Sequence, residues 1–437
     1  MIMKECFISK IVINECRSIH KLEIPLSATK RQHLIITGKN GSGKTSLLKI
    51  IDEYLIRVKD GVLQTLQTHK DYLKGTPDFI LSRQSSLAKL DRQCTQAKET
   101  NIKESLLEKI QSETRDLKNL QQALTQSAEY IDIFYKHIAI DFTNQEEIED
   151  DDCRELIVAF FEAKRENTPN VPSAIQNIEL DKTSSTKTTK IHKDFIAYMV
   201  KLRNQMLNEQ YDGSTTEADK IKKWFDNFEQ SLQRLFGRQD LKLIYYSKDL
   251  NFKIEYDDAS FALNELSDGY SSLLAIITEL ILRMEAYGAQ VYDMQGLVLI
   301  DEVETHLHVD LQKKVLPFLV DLFPNVQFIV TTHSPFVLSS LANAVIVDLE
   351  QRFVVSDLSI YSYDALIESY FDSDKYSQVV KDKLDVFETL ARKQPLADKE
   401  LEEFHELERY FSTLPSFLSN ELAVKINEIK LSLLAKN

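Results

Sequence analysis

Three apolar runs in this chain end in side chains that can handle phosphate and metal. The first is "IITGKNGSGKTSLLKII", residues 35–51. Gly38, Gly41 and Gly43 carry no Cβ, so the backbone can wrap with its N–H groups turned inward. Lys44 can then reach the outer phosphates of a nucleotide, and Thr45 offers a hydroxyl to Mg²⁺. A β-type run before the turn and helix formers after it, from Ser46 to about Leu55, are the context this spacing requires, and the helix adds its positive end. Gly38, Lys39, Asn40, Gly41, Ser42, Gly43, Lys44, Thr45 and Ser46 are therefore the candidate phosphate-holding loop.

The second run, in "GLVLIDEVETHLH", is apolar from Leu297 to Ile300 and ends in Asp301 and Glu302. Adjacent carboxylates at the end of a buried strand are costly without partners or work. Strand alternation would send them to different sides, Asp301 to the Mg²⁺ shell and Glu302 to a water as candidate general base. The third, Val326 to Val330, ends in Thr331, Thr332 and His333, whose imidazole could bond a γ-phosphate or orient the attacking water. Ahead of the carboxylates, "NELSDGYSSLLAIITELILRME" places Ser267 and Gly269 at the start of a long apolar-periodic helix. In isolation that is an N-cap.

These runs need a sheet to position them. "CFISKIVINE", "HKLEIPL" and the run before Gly38 read as strands opening a nucleotide-binding sheet. Between residues 56 and 130 the pattern is helical: Leu87, Leu90, Cys94 and Ala97, then Leu106, Ile110, Leu117, Leu120 and Leu124 at near-heptad spacing. The register breaks at residues 98–104, which suits a kinked helix or the tip of a short antiparallel pair. That pair could pack on its own domain or serve as a docking or self-association surface. "HIAIDF" and "ELIVAFF" bracket an acidic turn and read as an antiparallel pair, and residues 173–193 as a mobile polar loop. Two helical stretches lead to Gly237, a hairpin follows ("LKLIYYS", "NFKIEY"), and the tail after residue 356 is helical.

The 437 residues exceed one ordinary core, so a large α/β domain with a helical insertion is expected. A net charge of −15 argues against a protein coated in basic surface; any nucleic-acid contact must use local patches. Cys6, Cys16, Cys94 and Cys153 lack C-x-x-C spacing and fit reduced thiols, with Cys16 as a small buried side chain. No run approaches the roughly 18 apolar residues that span a bilayer, and the N-terminus has no signal-like segment. A soluble cytoplasmic protein without membrane association is the expectation.

Taken in order, residues 38–45, "LSDGY", "LVLIDE" and "TTHSP" resemble the ABC-type ATPases in their RecF/SMC/OLD-like branch. The resemblance implies a fold: an α/β ABC-ATPase head with a mixed sheet flanked by helices, a helical or coiled-coil insertion, and a helical C-terminal tail. Its parts would be residues 1–55 (N-lobe), 56–130 (insertion), 131–240 (hairpin, loop and helical segment), 241–355 (C-lobe) and 356–437 (tail). It also implies that two heads sandwich ATP and Mg²⁺, with Lys44, Thr45 and Asp301 of one head facing Leu266, Ser267, Asp268, Gly269 and Tyr270 of the other. Arg17 in "RSI" resembles a basic segment that contacts nucleotide in this branch. Asp268 and Tyr270 depart from the commoner Gly and Gln of the signature. The Q-loop position is open between Gln145 and the segment at Lys164 and Arg165, and His306 and His308 fall in the D-loop region.

The long separation of Ser267 from Lys44 is unlike transporter ATPases. Asp372 and Asp374 form a D-x-D without the glutamate strand of an OLD-type nuclease, and only His405 lies in the tail, so any nuclease must act in trans. The whole pattern looks most like the PtuA-type ATPases of Septu and retron anti-phage systems, with the sensor ATPase of PARIS systems near it. That resemblance implies head-to-head homo-oligomers, slow ATP hydrolysis and an HNH-type nuclease or other effector as partner, with DNA or a reverse-transcribed nucleic acid as a further possible ligand. The alternative is a RecF/SMC-like repair ATPase acting on DNA ends or gaps.

Overall fold

The computed structural model describes residues 5–144, 156–165, 168–180, 191–213, 215–287, 294–359, 378–393 and 397–412. Strands β1 (Ile8–Cys16), β2 (Ile19–Pro25) and β3 (His33–Thr37) precede helix α1 (Lys44–Lys59). Two long helices follow, α2 (Val62–Gln96) and α3 (Thr100–Tyr135), then β4 (Ile138–Phe142) and β5 (Ile157–Phe161). Helices α4 (Phe195–Tyr211) and α5 (Thr215–Phe236) lead to β6 (Lys242–Tyr246), β7 (Asn251–Tyr256) and β8 (Ala259–Ala262). Helix α6 (Asp268–Glu285), β9 (Gly296–Ile300), α7 (Val315–Leu322), β10 (Val326–Thr331), β11 (Ala344–Asp348) and β12 (Phe353–Ser356) complete the first of two units, which ends at Ile360.

The main sheet has the order β12-β11-β3-β10-β9-β5. All neighbouring pairs from β11 to β5 are parallel, and β12 adds an antiparallel edge, so the sheet is mixed. Every residue of β3, β9, β10 and β11 is buried, which is why they read as continuous aliphatic runs without alternation: parallel strands are covered on both faces. A smaller antiparallel sheet, β2-β1-β4, lies beside it. Buried Gln327 of β10 laces the two together, accepting from the Ile8 N–H at 2.7 Å and donating to the Ile8 and Gln32 carbonyls at 3.0 and 2.7 Å.

The register break after α2 is the tip of an antiparallel helical pair. Arg83 reaches Glu113 at 2.5 Å, and His69 reaches Ser127 at 3.0 Å while stacking on Tyr130. Each arm is roughly 50 Å long by helical rise. Near the base of the pair, Phe134 is buried in the core cluster with Tyr54 of α1.

Helix α6 is buried along almost its whole length. Its charged pair Glu279 and Arg283 is satisfied in place: Arg283 donates to Glu279 and to the Val158 carbonyl of β5, and Glu279 accepts from the His192 N–H at 2.8 Å. Removing one partner from such a group costs about 3–5 kcal/mol, because the other charge is left buried.

Two expectations are corrected here. "HIAIDF" and "ELIVAFF" do not pair: β4 joins β1 in the small sheet, while β5 lies parallel to β9 in the main one. Apolar runs flanking a polar turn do not reveal which strand each will join. The segment 173–193 is not loop to its end, since residues 191–194 form a 3-10 turn with His192 buried. Gln145, Cys153, Asp372 and Asp374 lie outside the described residues, whereas Cys6, Cys16 and Cys94 are buried. No described helix is long and apolar enough to cross a membrane.

The second unit, residues 361–437, contains the described helices α8 (Gln378–Arg392) and α9 (Asp398–Ser412). They pack through Leu384, Phe387, Leu390, Phe404, Leu407 and Phe411, with the Phe387 and Phe404 rings stacked at 4.7 Å.

Candidate functional site

Strands β3, β10 and β9 are neighbours and run the same way, so the loops after Thr37, Ile300 and Thr331 leave one edge of the sheet together. The C-terminal edge of an open parallel sheet is where such folds bind ligands. Thr45 and Asp301, 256 positions apart in sequence, meet there.

The glycine loop turns through left-handed backbone at Gly38, Gly41 and Gly43. At Gly38 a Cβ would also come within 2.9 Å of the Ser42 hydroxyl. Lys44 is buried, and its ammonium donates to the Gly38 and Lys39 carbonyls at 2.8 and 3.1 Å. Burial lowers its pKa, against the opposing pull of Glu302, Asp301, Glu304 and Asp348. Lys39 pairs with Glu350 beyond β11 at 2.8 Å, and Asn40 is exposed at the loop's crest. The β1–β2 turn abuts the loop, with the Arg17 stem and Ile19 within 4.0 and 3.6 Å of where a Gly43 Cβ would lie.

Asp301 is buried with both oxygens occupied: Oδ2 accepts from the Thr45 hydroxyl at 2.8 Å and Oδ1 from the Thr331 hydroxyl at 2.6 Å. A threonine hydroxyl beside a carboxylate is a hard oxygen pair suited to Mg²⁺. Three atoms around this edge are buried without hydrogen-bond partners: Ser42 Oγ, Glu304 Oε2 and His333 Nε2. Unsatisfied buried polar atoms at the end of the sheet are what a polyanionic ligand with its metal and water would satisfy, so the residues fit ATP and Mg²⁺. Among the described residues no group of three or more His, Cys, Asp or Glu side chains could hold a metal by itself, and His306 and His308 form none.

Glu302 diverges from Asp301 by a different route from strand alternation. The strand ends at Ile300, and Glu302 sits at φ 45°, in left-handed backbone. Its N–H donates to the Thr331 hydroxyl at 2.7 Å, and its carboxylate accepts from Thr305 at 3.3 Å. His333 donates its backbone N–H to Glu304 Oε1 at 2.5 Å, which ties the loop after β10 to the loop after β9. Burial, then the Lys44 charge, lowers the His333 pKa, so the imidazole is neutral at pH 7.

The "LSDGY" segment opens α6. Ser267 occupies the N-cap position without a capping bond from its hydroxyl, and Ser267 and Asp268 are exposed. Leu266 is half-buried and its carbonyl accepts from Ser271. Gly269 is buried against the D-loop region, where a Cβ would meet the His306 carbonyl at 2.9 Å. Tyr270, in place of the commoner glutamine, stacks on Phe236 of α5 with centroids 4.2 Å apart. It therefore packs within its own chain.

Two contributors escaped the sequence reading. Glu304 is the second residue past Glu302 in "DEVE", a spacing that could have flagged it. Thr331 was legible only as a strand end. Among the described Q-loop candidates, Lys164 and Arg165, it is Arg165 that reaches the site, from the segment after the neighbouring strand β5.

A family model described as "AAA domain, putative AbiEii toxin, Type IV TA system" matches residues 164–339, which hold Arg165, α6, both carboxylates and His333 but not the glycine loop. "Septu protein PtuA" of Bacillus mycoides is 33% identical over 29% of this chain and 18% of its own length. "Retron Vc95 probable ATPase" of Vibrio cholerae is 22% identical over 84% of this chain and 76% of its own. These matches make the chain similar to ABC-type AAA ATPases of defence systems. "Retron Ec83 probable ATPase" of Escherichia coli is 30% identical over 36% of this chain and 28% of its own length. This chain thus spans well under two thirds of the Septu and Ec83 relatives. Among solved structures, an Smc head bound to the C-winged helix domain of ScpA aligns over 80% of this chain and 98% of its own at 13% identity, with a TM-score of 0.36. That likeness is too loose to carry anything further.

Proposed function

We propose that this ABC-type chain binds ATP with Mg²⁺ at the sheet edge, hydrolyses it slowly, and serves as the nucleotide-controlled subunit of a bacterial anti-phage defence complex. The observation that supports it most is the convergence of Lys44, Thr45, Asp301, Glu302 and His333 from three separate loops. The loop N–H groups from Gly38 to Ser46 and the Lys44 ammonium cradle the phosphates. Thr45 and Asp301 hold the Mg²⁺, which draws charge off the phosphate oxygens. Glu302 accepts the proton of the attacking water as general base, and neutral His333 offers Nε2 to the γ-phosphate or that water. Arg17 contacts the nucleotide from the β1–β2 turn.

Ser267, Asp268 and the α6 N-terminus of a second copy close over the γ-phosphate, so ATP sets head-to-head assembly. Leu266, Gly269 and Tyr270 hold that segment in place from behind. Kinship with Septu and retron proteins supports the defence role, with a nuclease of HNH type or another effector supplied in trans. Expression from the native operon, tagged on this chain, followed by mass spectrometry with and without ATP and Mg²⁺, tests this reading. A stoichiometric effector whose retention depends on nucleotide, and not in Lys44→Ala, is expected. A lone homo-oligomer carrying DNA would overturn it in favour of a repair ATPase.

A further inference from the structure

The backbone of Glu302 is held on both sides by side chains, Thr331 at the end of β10 and Arg165 in the segment that follows β5. Glu302 sits at φ 45°, a conformation that costs an ordinary L residue of order 1 kcal/mol or more and persists only where its surroundings enforce it. Thr331 accepts from its N–H. On the other side, Arg165 extends one guanidinium nitrogen to both the Asp301 carbonyl (2.8 Å) and the Glu302 carbonyl (2.9 Å). A second nitrogen reaches the Ser272 hydroxyl of α6 at 3.2 Å, and Nε donates to the Glu162 carbonyl at 2.9 Å.

Both carbonyls lie just past the end of β9; the Glu302 carbonyl also accepts from the Thr305 N–H at 3.0 Å, and a planar fork of fixed donors can hold these carbonyls, Ser272 and Glu162 at once where a point charge cannot. Arg165 arrives because β5 lies parallel to β9 and the Asp301 N–H bonds the Phe161 carbonyl at 2.8 Å. We infer that Arg165 is a positioning residue for hydrolysis: by clamping the Asp301 and Glu302 carbonyls it keeps the Glu302 carboxylate aimed at the attacking water. Through Ser272 it also fixes α6 of the same head to that aim. The inference rests on the reading of Glu302 as general base.

The test compares Arg165→Ala and Arg165→Lys with the wild type and with Glu302→Gln in steady-state ATP hydrolysis, alongside ATP affinity and melting temperature for each. Arg165→Ala is expected to lower kcat about 10- to 100-fold while the ATP KM stays within about threefold, since misplacement of a reacting group by an ångström costs about that much. Arg165→Lys, which keeps charge and stem but not the fork, should recover part of the loss and covers the case in which the alanine variant fails to fold. In the Glu302→Gln background, Arg165→Ala should cause no further loss.

Wild-type kcat in Arg165→Ala, a matching loss of ATP affinity, or a multiplicative loss in the double variant overturns the positioning role. Normal hydrolysis in Glu302→Gln alone would instead overturn the general-base reading, so the two failures are distinguishable.

Discussion

Thr45 and Asp301 are 256 residues apart in sequence, yet the threonine hydroxyl donates to the aspartate at 2.8 Å. That contact joins the first turn of α1 to the end of β9 and brings together the two oxygen ligands proposed for Mg²⁺. Asp301→Asn keeps the shape and removes the charge. Titrating Mg²⁺ against ATP binding should show the half-saturating Mg²⁺ concentration raised by about tenfold or more, the scale on which ligand-shell changes act. An unchanged Mg²⁺ requirement would remove Asp301 from the metal site.

Gly269 bears on the α6 N-terminus. A Cβ there would press on the His306 carbonyl, which is backbone and cannot swing aside. Gly269→Ala should destabilise the protein by about 1–3 kcal/mol, the usual cost of overpacking, and lower the ATP-dependent association of heads. Differential scanning fluorimetry with sedimentation in ATP reads both.

Asp52 contributes to the pH dependence of stability. Burial first, then Glu53, pushes the Asp52 carboxyl up to about 6, with Arg283 pulling the other way. A carboxyl whose folded pKa lies above its unfolded value binds its proton more tightly when folded. Its contribution is therefore greatest at pH below 3.8 and is lost as pH rises through about 6. Asp52→Asn should be more stable than wild type by about 1–2 kcal/mol above pH 7, with the gap closing towards pH 4. Melting curves across that range check the sign.

Much of the site was legible because its chemistry sits at the ends of local signals. Lys44, Asp301 and His333 each follow an aliphatic run that burial on both faces makes unmistakable. What was not legible depends on which strands become neighbours. The β5 run reads equally well as a partner for β4, and only its actual place beside β9 carries Arg165 to the carboxylates. Glu302 shows the same limit: alternation along a strand predicts divergent carboxylates, but the divergence comes from a left-handed residue held by Thr331 and Arg165. Glu304 was passed over because its partner is a backbone N–H far along the chain.

The central claim is that this sheet edge binds ATP and that Glu302 is the base that hydrolyses it. Single-turnover phosphate release from Glu302→Gln, with ATP binding measured on the same sample, tests it most directly. ATP affinity near that of the wild type, release slowed by about 10²- to 10⁴-fold and a persistent ATP-bound dimer are expected. Phosphate release at the wild-type rate would contradict it.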